Sequence, residues 1–354
     1  MTPRTTNPTR ANLPAFLSLA NADRTPFIPT GGDLRPGEIY ALGNDSRFTE
    51  AHFSEPLTTF ATGWKDPNKI EDALEFFCPQ TPVPGRLFEW KKAVNAEEFF
   101  SETDDVRAIG ADFKRVEYTG VDVTDKTLNK GLTMRVDLDQ VNTEVPGWEN
   151  RYIGKLLRRL MRNDLRRAIS LLSAAATNTA KTWDSNADPD ADVVNEGALA
   201  GDQVGFQFNR VGYGHTSWLK RFASLRTGSN AAKFGTSGFT PQQLADLLSV
   251  DEVYVSRERY QATAANKTQM VANLVLMFYA AAGMDTEDPS NIKRFLSPPP
   301  NVVTGGSQFA RPGGGLGVNV YQQQVSSKMV DLTVEHYSKI VMTSTLGVRQ
   351  FTVS

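Results

Sequence analysis

A single cysteine, Cys78, occurs in the 354 residues, so no internal disulfide forms and the fold does not depend on an oxidising compartment. No run approaches 18 consecutive apolar residues, so no membrane-spanning helix is expected. Histidine is scarce: His52, His215 and His336 sit in unrelated contexts, and each reads as surface or structural rather than catalytic. The chain has no G-x-S-x-G elbow, no H-E-x-x-H and no Walker A motif. An excess of one charge is lacking too. With 38 Lys and Arg against 40 Asp and Glu, the formal charge of −2 excludes a globally cationic nucleic-acid binder. Any contact with polyanions must then come from local clusters. The N-terminus, MTPRTTNPTRANLPAF, carries two arginines but no apolar core, so it is not a secretory signal. Rich in Pro, Thr and Asn, it reads as an extended arm that is either floppy or ordered by a partner.

What is present is an ordinary folded composition, 40% hydrophobic and 22% charged, at a length that suits two or three packed units. The dominant feature is a long helix expected from Trp148 to Trp183. Seven cations (Arg151, Lys155, Arg158, Arg159, Arg162, Arg166 and Arg167) fall within it beside one acid, Asp164. At about 100° per residue six of the seven share one face and only Arg167 strays. Ile153, Leu156, Leu157, Leu160, Met161, Ala168, Leu171 and Leu172 fill the opposite side. Such a helix would run roughly 50 Å, far beyond the usual length of about 12 residues, and needs a special structural job.

Before the helix, residues 1–50 are loop-like, and a short helix is expected within Asp66–Phe77, closed by Pro79 and the PQTPVPG cluster. A second is expected at Ala96–Phe100. Leu132, Met134, Val136 and Leu138 alternate with polar residues, the period of a strand with one wet face. Val116–Val123 is a weaker strand, set apart by TDKTLNKG. After the helix, WDSNADPDADVVNEG reads as an acidic, turn-rich linker. A strand is expected at Phe206–Val211, and a helix at Trp218–Leu225 capped by Thr216 or Ser217. A Gly/Ser loop, Thr227–Gly238, should follow. Thr240-Pro241 pairs an N-cap with proline at the first helical position, starting a helix to Leu248. Strands are expected at Glu252–Val255, Leu274–Tyr279, Val318–Tyr321, Val330–Val334, Ile340–Met342 and Val348–Val353, with a loop at Pro298–Pro300. The sum is an α+β chain with a β-rich tail.

Candidate ligand sites are weak. The run Gly313-Gly314-Gly315-Leu316-Gly317 lacks dinucleotide-binding spacing and precedes a strand, so it reads as a flexible connection. Asp188, Asp190 and Asp192 have the spacing of a calcium loop, but Val193 replaces the required glycine and Leu199 the final glutamate. No cofactor, metal or catalytic residue is expected, and Cys78 reads as a small buried side chain. The basic stripe of Arg151, Lys155, Arg158, Arg159, Arg162 and Arg166 has three readings: a solvated face, a partner for acids of a neighbouring subunit, or a contact for nucleic-acid phosphates.

The order of these parts, together with stretches such as TLNKGLTMRVDLDQV leading into GWENRYIGKLLRRLMRNDLRRAISLL, TPQQLADLLSVDEVYVSRERYQ, NLVLMFYAA and GLGVNVYQQQVSSKMVDLTVEHYSKIVMTSTLGVRQF, resembles the major capsid protein of tailed bacteriophages. The resemblance implies the Hong Kong 97-type fold. It assigns 1–50 to an N-arm, 51–145 to an E-loop region and P-domain strands, and 146–203 to the P-domain spine helix and linker. It assigns 204–315 to an A domain and 316–354 to returning strands. It implies no enzymatic activity, self-assembly through hexamers and pentamers into an icosahedral virion shell in the host cytoplasm, and double-stranded DNA packaged on the inner face, without membrane. The arm leaves no room for a scaffolding segment of the kind some members carry, so a separate scaffold protein or none is expected, with decoration proteins a further partner. Some members cross-link lysine to asparagine; Lys65 and Lys91 lie in the region concerned, but nothing marks a partner asparagine. An encapsulin-type compartment enclosing cargo shares the fold, and an enzyme of unfamiliar family is the remaining reading.

Overall fold

The computed structural model describes residues 52–92, 106–107, 112, 121–141, 146–227, 231–261, 263, 265–281, 290–298 and 317–354. The expected N-terminal arm, the helix at Ala96–Phe100 and the glycines at 313–315 lie outside the described residues.

Two helices open the described chain, α1 (Glu55–Gly63) and α2 (Ile70–Phe77). Strands β1 (Gln80–Pro82), β2 (Leu87–Lys92), β3 (Val121–Lys126) and β4 (Leu128–Asp137) lead to the long helix α3 (Trp148–Ala175). Then come β5 (Thr177–Lys181), α4 (Pro189–Val204), β6 (Arg210–Gly214), α5 (His215–Thr227), α6 (Ala231–Thr236) and α7 (Pro241–Leu248). Strands β7 (Glu252–Ser256), β8 (Arg259–Gln261), β9 (Lys267–Gln269), β10 (Leu274–Phe278) and β11 (Ile292–Ser297) follow. The tail is β12 (Val318–Gln324), β13 (Met329–Met342) and β14 (Arg349–Val353).

Two sheets carry the fold. In the first, β13 is central: β4 runs antiparallel along one edge, pairing Val136 with Val330 and Leu128 with Ser338. Along its other edge β12 and then β11 take successive stretches, and β1 adds in parallel to β11. The second sheet has the order β5-β14-β10-β6-β7. Two-stranded ladders, β2 with β3 and β8 with β9, stand apart from both.

Helix α3 serves both sheets. Its first half packs Ile153, Leu156, Leu157 and Leu160 on Val136, Val320, Leu332 and Val334. Its second half packs Met161, Leu165, Ala168, Ile169 and Leu172 against Phe76 and Phe77 of α2 and Leu276 and Phe278 of β10. Mid-helix glycine costs about 1 kcal/mol relative to alanine. Gly154 is tolerated because the Trp64 ring lies against it, with Nε1 3.0 Å from where a Cβ would stand.

The structure corrects several expectations. The long helix stops at Ala175, 28 residues and about 42 Å long, rather than reaching Trp183. Residues Thr177–Lys181 instead form β5, which adds in parallel to β14 from Thr177–Arg349 to Lys181–Val353. The sheet edge outcompetes helical propensity there. The expected linker is mostly α4: Asp188 caps it by accepting from Ala191 N, and Pro189 takes its first turn. TDKTLNKG is not a separator. The chain runs through it as strand and changes partner at buried Thr127, because β3 pairs with β2 while β4 pairs with β13. Of its polar residues Thr124, Lys126 and Asn129 are exposed, whereas Thr127 is buried and Lys130 reaches inward to Asp164. The two strands expected at Val330–Val334 and Ile340–Met342 are one strand, β13. Strand β6 starts at Arg210, later than expected, and the Gly/Ser loop contains α6. Helix α1 and strands β1, β2, β8, β9 and β11 are additions to the expected elements, β1 arising within the PQTPVPG cluster. The start of α7 is as expected, with Thr240 at the N-cap and Pro241 in the first turn, and the structure adds a full capping box: Thr240 Oγ1 accepts from Gln243 N (3.3 Å) and Gln243 Oε1 accepts from Thr240 N (3.0 Å).

Candidate interaction surface on the long helix

Burial divides α3 cleanly along its length. The predicted apolar stripe is buried except Leu171, which remains 36% exposed, and the cationic side faces outward. Asp164 belongs to the buried side. Its carboxylate accepts from Lys130 Nζ of β4 at 2.7 Å, from Arg167 Nη1 at 2.8 Å, from His336 Nε2 of β13 at 3.2 Å and from Ser338 Oγ at 3.5 Å. Arg167, the cation that strays from the stripe, therefore strays toward this carboxylate.

The electrostatics of this cluster follow from burial and pairing. Burial alone would raise the Asp164 pKa. The hydrogen bonds from His336 and Lys130, together with the Lys130 charge, outweigh it and hold the carboxyl well below the usual range. Burial pushes His336 below 6.5 despite the hydrogen bond to Asp164, so the ring is neutral near pH 7. A carboxylate is an acceptor only, which makes Nε2 the protonated nitrogen of that neutral ring. Burial likewise lowers Lys130, with Asp164 opposing. The arrangement ties the helix to β4 and β13.

The stripe itself divides into structural and open cations. Arg158 is half-buried: Nε and Nη2 reach Asp66 Oδ1 at 2.9 and 2.7 Å, and its guanidinium lies 5.8 Å from the Trp64 ring. It holds the segment between α1 and α2 to α3 and is removed from the open surface. Lys155 sits over Tyr152 one turn earlier, at 4.8 Å. Arg166 stacks over Tyr260 of β8 at 4.1 Å. Arg151, Arg159 and Arg162 are exposed and have no carboxylate partner among the described residues. The spacing 151-155-159-162-166 keeps these five on one helical face over about 22 Å.

The other candidates resolve into structure. Asp188 caps α4, Asp190 is forked by buried Arg221 at 2.6 and 2.8 Å, and Asp192 accepts from Lys181 Nζ and Trp183 Nε1. Among the described residues no group of three His, Cys, Asp or Glu side chains is arranged to hold a metal. Cys78 is fully buried, which raises its thiol pKa. Among the described residues His52 and His215 join no such group; Lys65 is exposed and Lys91 lies in β2. A cleft lined by Arg210, Asp251, Glu252 and Tyr279 has no Ser, Cys or His in its lining, and Arg210 donates to the carbonyls of Glu75 and Phe76. The Lys130–Asp164–His336 cluster escaped sequence reasoning. Its one local signal is that Asp164 falls on the apolar side of the helical wheel.

Among solved structures the chain is similar to a phage-related protein from Bordetella bronchiseptica RB50. The two are 16% identical, with 85% of this chain and 96% of that one covered, at a TM-score of 0.60. More distant likenesses are the putative capsid protein of a prophage of E. coli CFT073 (11% identity, 85% and 99% covered, TM-score 0.45) and a virus-like particle from Pyrococcus furiosus (11%, 86% and 100%, 0.44). No family model matches the chain, and no curated protein matches it. The likeness to the Bordetella protein establishes the fold: α+β, the Hong Kong 97-type arrangement implied by the order of parts.

Proposed function

We propose that this chain is the major subunit of an icosahedral capsid, a virion protein that assembles with copies of itself around double-stranded DNA. The observation that carries the reading is the two-sidedness of helix α3. One side is buried on two sheets, whereas the other presents Arg151, Lys155, Arg159, Arg162 and Arg166 without a carboxylate partner among the described residues. The fold shared with a phage-related protein over nearly its whole length supports the same reading. In it α3 is the spine of a P domain formed with the sheet around β13, residues 204–315 form the A domain, and 1–50 is an arm that orders against neighbouring subunits. The basic face is turned to packaged DNA, where phosphate contact is independent of sequence and weakens with salt.

Electron microscopy of the expressed protein, with and without co-expressed phage proteins, tests the assembly. Shells are expected, and a subunit that stays monomeric under all conditions sinks the reading. Charge reversal at Arg159, Arg162 and Arg166 should leave shells forming while reducing retained DNA, most visibly at high salt. Unchanged DNA content refutes the DNA-facing assignment, and loss of assembly points to a neighbouring subunit instead. Particles that retain a cargo enzyme and no DNA would identify a protein compartment.

A further inference from the structure

The surface around Arg166 does not end with the helix. The Arg166 guanidinium carbon lies 4.1 Å from the ring centroid of Tyr260, so the stripe is joined there to the β8–β9 ladder. In that ladder Tyr260 pairs with Thr268, Arg259 with Gln269, and Gln261 with Lys267. Successive residues of a strand face opposite ways, so Tyr260 and Thr268 share the face that meets Arg166. Arg259 and Lys267 share the other face as diagonal neighbours.

The charge balance here is one-sided. Residues 257–269, RERYQATAANKTQ, contain Arg257, Arg259 and Lys267 against a single acid, Glu258. That acid is turned inward, accepting from Tyr254 Oη at 2.8 Å and from Ser256 Oγ at 2.7 Å. The three cations are exposed and have no carboxylate partner among the described residues. Like charges set diagonally on one ladder repel, and nothing described in the chain relieves them. The exposed large hydrophobic side chains of the described residues all lie elsewhere. A protein partner is held by buried apolar or aromatic anchors, and the one aromatic side chain of residues 257–269, Tyr260, is already stacked on Arg166. Phosphate contact needs only cations, and Arg259 and Lys267 present two of them on one face of the ladder.

We propose that the β8–β9 ladder is a second phosphate-contacting element, joined to the basic face of α3 through Tyr260 and presenting Arg259 and Lys267 from its opposite face to the backbone of double-stranded nucleic acid. The proposal rests on the reading of α3 as a DNA-facing helix.

The test is the salt dependence of binding between the unassembled full chain and a labelled DNA duplex of arbitrary sequence, followed by fluorescence anisotropy. Arg259→Ala with Lys267→Ala should lower the slope of log affinity against log salt by about 1.8, at about 0.9 for each phosphate no longer neutralised. Arg259→Lys with Lys267→Arg should restore it. Arg159→Ala with Arg162→Ala should lower the slope by a similar amount. A wild-type slope in the ladder variant, beside a reduced slope in the helix variant, overturns this proposal and leaves the helix reading standing. A ladder variant that keeps the slope but no longer forms shells also overturns it, in favour of an acidic surface on a second copy. Absence of salt-dependent binding in the unaltered chain overturns the helix reading and this proposal together.

Discussion

Lys130 Nζ lies 2.7 Å from Asp164 Oδ1, joining the start of β4 to the middle of α3 through a contact from which water is almost excluded. Arg167 and the neutral ring of His336 complete the shell around the carboxylate. A buried ion pair of this kind adds modest net stability, because desolvation of both ions offsets their attraction, but breaking it is costly.

Asp164→Ala should therefore destabilise the subunit by about 3–5 kcal/mol, since Lys130 is left buried without its counter-charge. Lys130→Met combined with Asp164→Leu should lose distinctly less than the sum of the two single changes. Denaturant midpoints of the unassembled subunit measure both. Equal losses for the double variant and the sum would show that the pair is not coupled.

Acid should weaken the fold in two stages. His336 has its pKa lowered in the fold, so the unfolded chain binds the extra proton first. Its contribution is intact above about 6.5 and declines as pH falls below that value, by at most about 1.4 kcal/mol per pH unit. Asp164 is also depressed; its contribution is present above its unfolded pKa near 3.8 and is lost as pH falls further. Stability measured against pH should thus slope downward from about pH 6.5 in the native chain. His336→Gln should flatten that first stage while retaining the second.

Adjacent arginines on α3 should behave oppositely. Arg158→Ala strands the buried Asp66 carboxylate and should cost about 2 kcal/mol or more. Arg159→Ala removes an exposed cation and should change thermal stability by less than about 0.5 kcal/mol. Comparable melting shifts would contradict the division of the stripe into structural and open members.

Two glycines give a contrast of the same kind. A Cβ on Gly214 would stand 2.1 Å from the carbonyl oxygen of Ala272, a backbone atom with nowhere to go. Gly214→Ala should therefore cost about 3 kcal/mol. Gly63, at the end of α1, has open space, and Gly63→Ala should stabilise by about 0.4–1 kcal/mol through the unfolded chain. Melting temperatures of the two variants check this directly.

Local signals were readable where one segment's pattern was sufficient. The N-cap and proline at Thr240-Pro241 and the alternation of Leu132, Met134 and Val136 reappear as α7 and β4. The failures occurred where the partner lay far away in sequence. Residues 177–181 became strand because β14 offers its edge, and β11 was missed because Lys293 and Arg294 break the apolar run although both are buried. Asp188-Pro189 carried a valid helix start, but the density of acids obscured it.

What the sequence determined by itself was the amphipathic helix, its basic face and the α+β order of elements, because helical and strand periods are local properties of the chain. Only the tertiary structure decided which charges are open. It assigned Arg158 to Asp66, Arg167 to Asp164 and Arg166 to Tyr260, and it placed Lys130 and His336 around a carboxylate on the apolar side of α3. Those pairings join residues that no periodicity links. They exist because packing two sheets against one helix brings groups far apart in sequence within reach of the carboxylates it buries, Asp66 and Asp164.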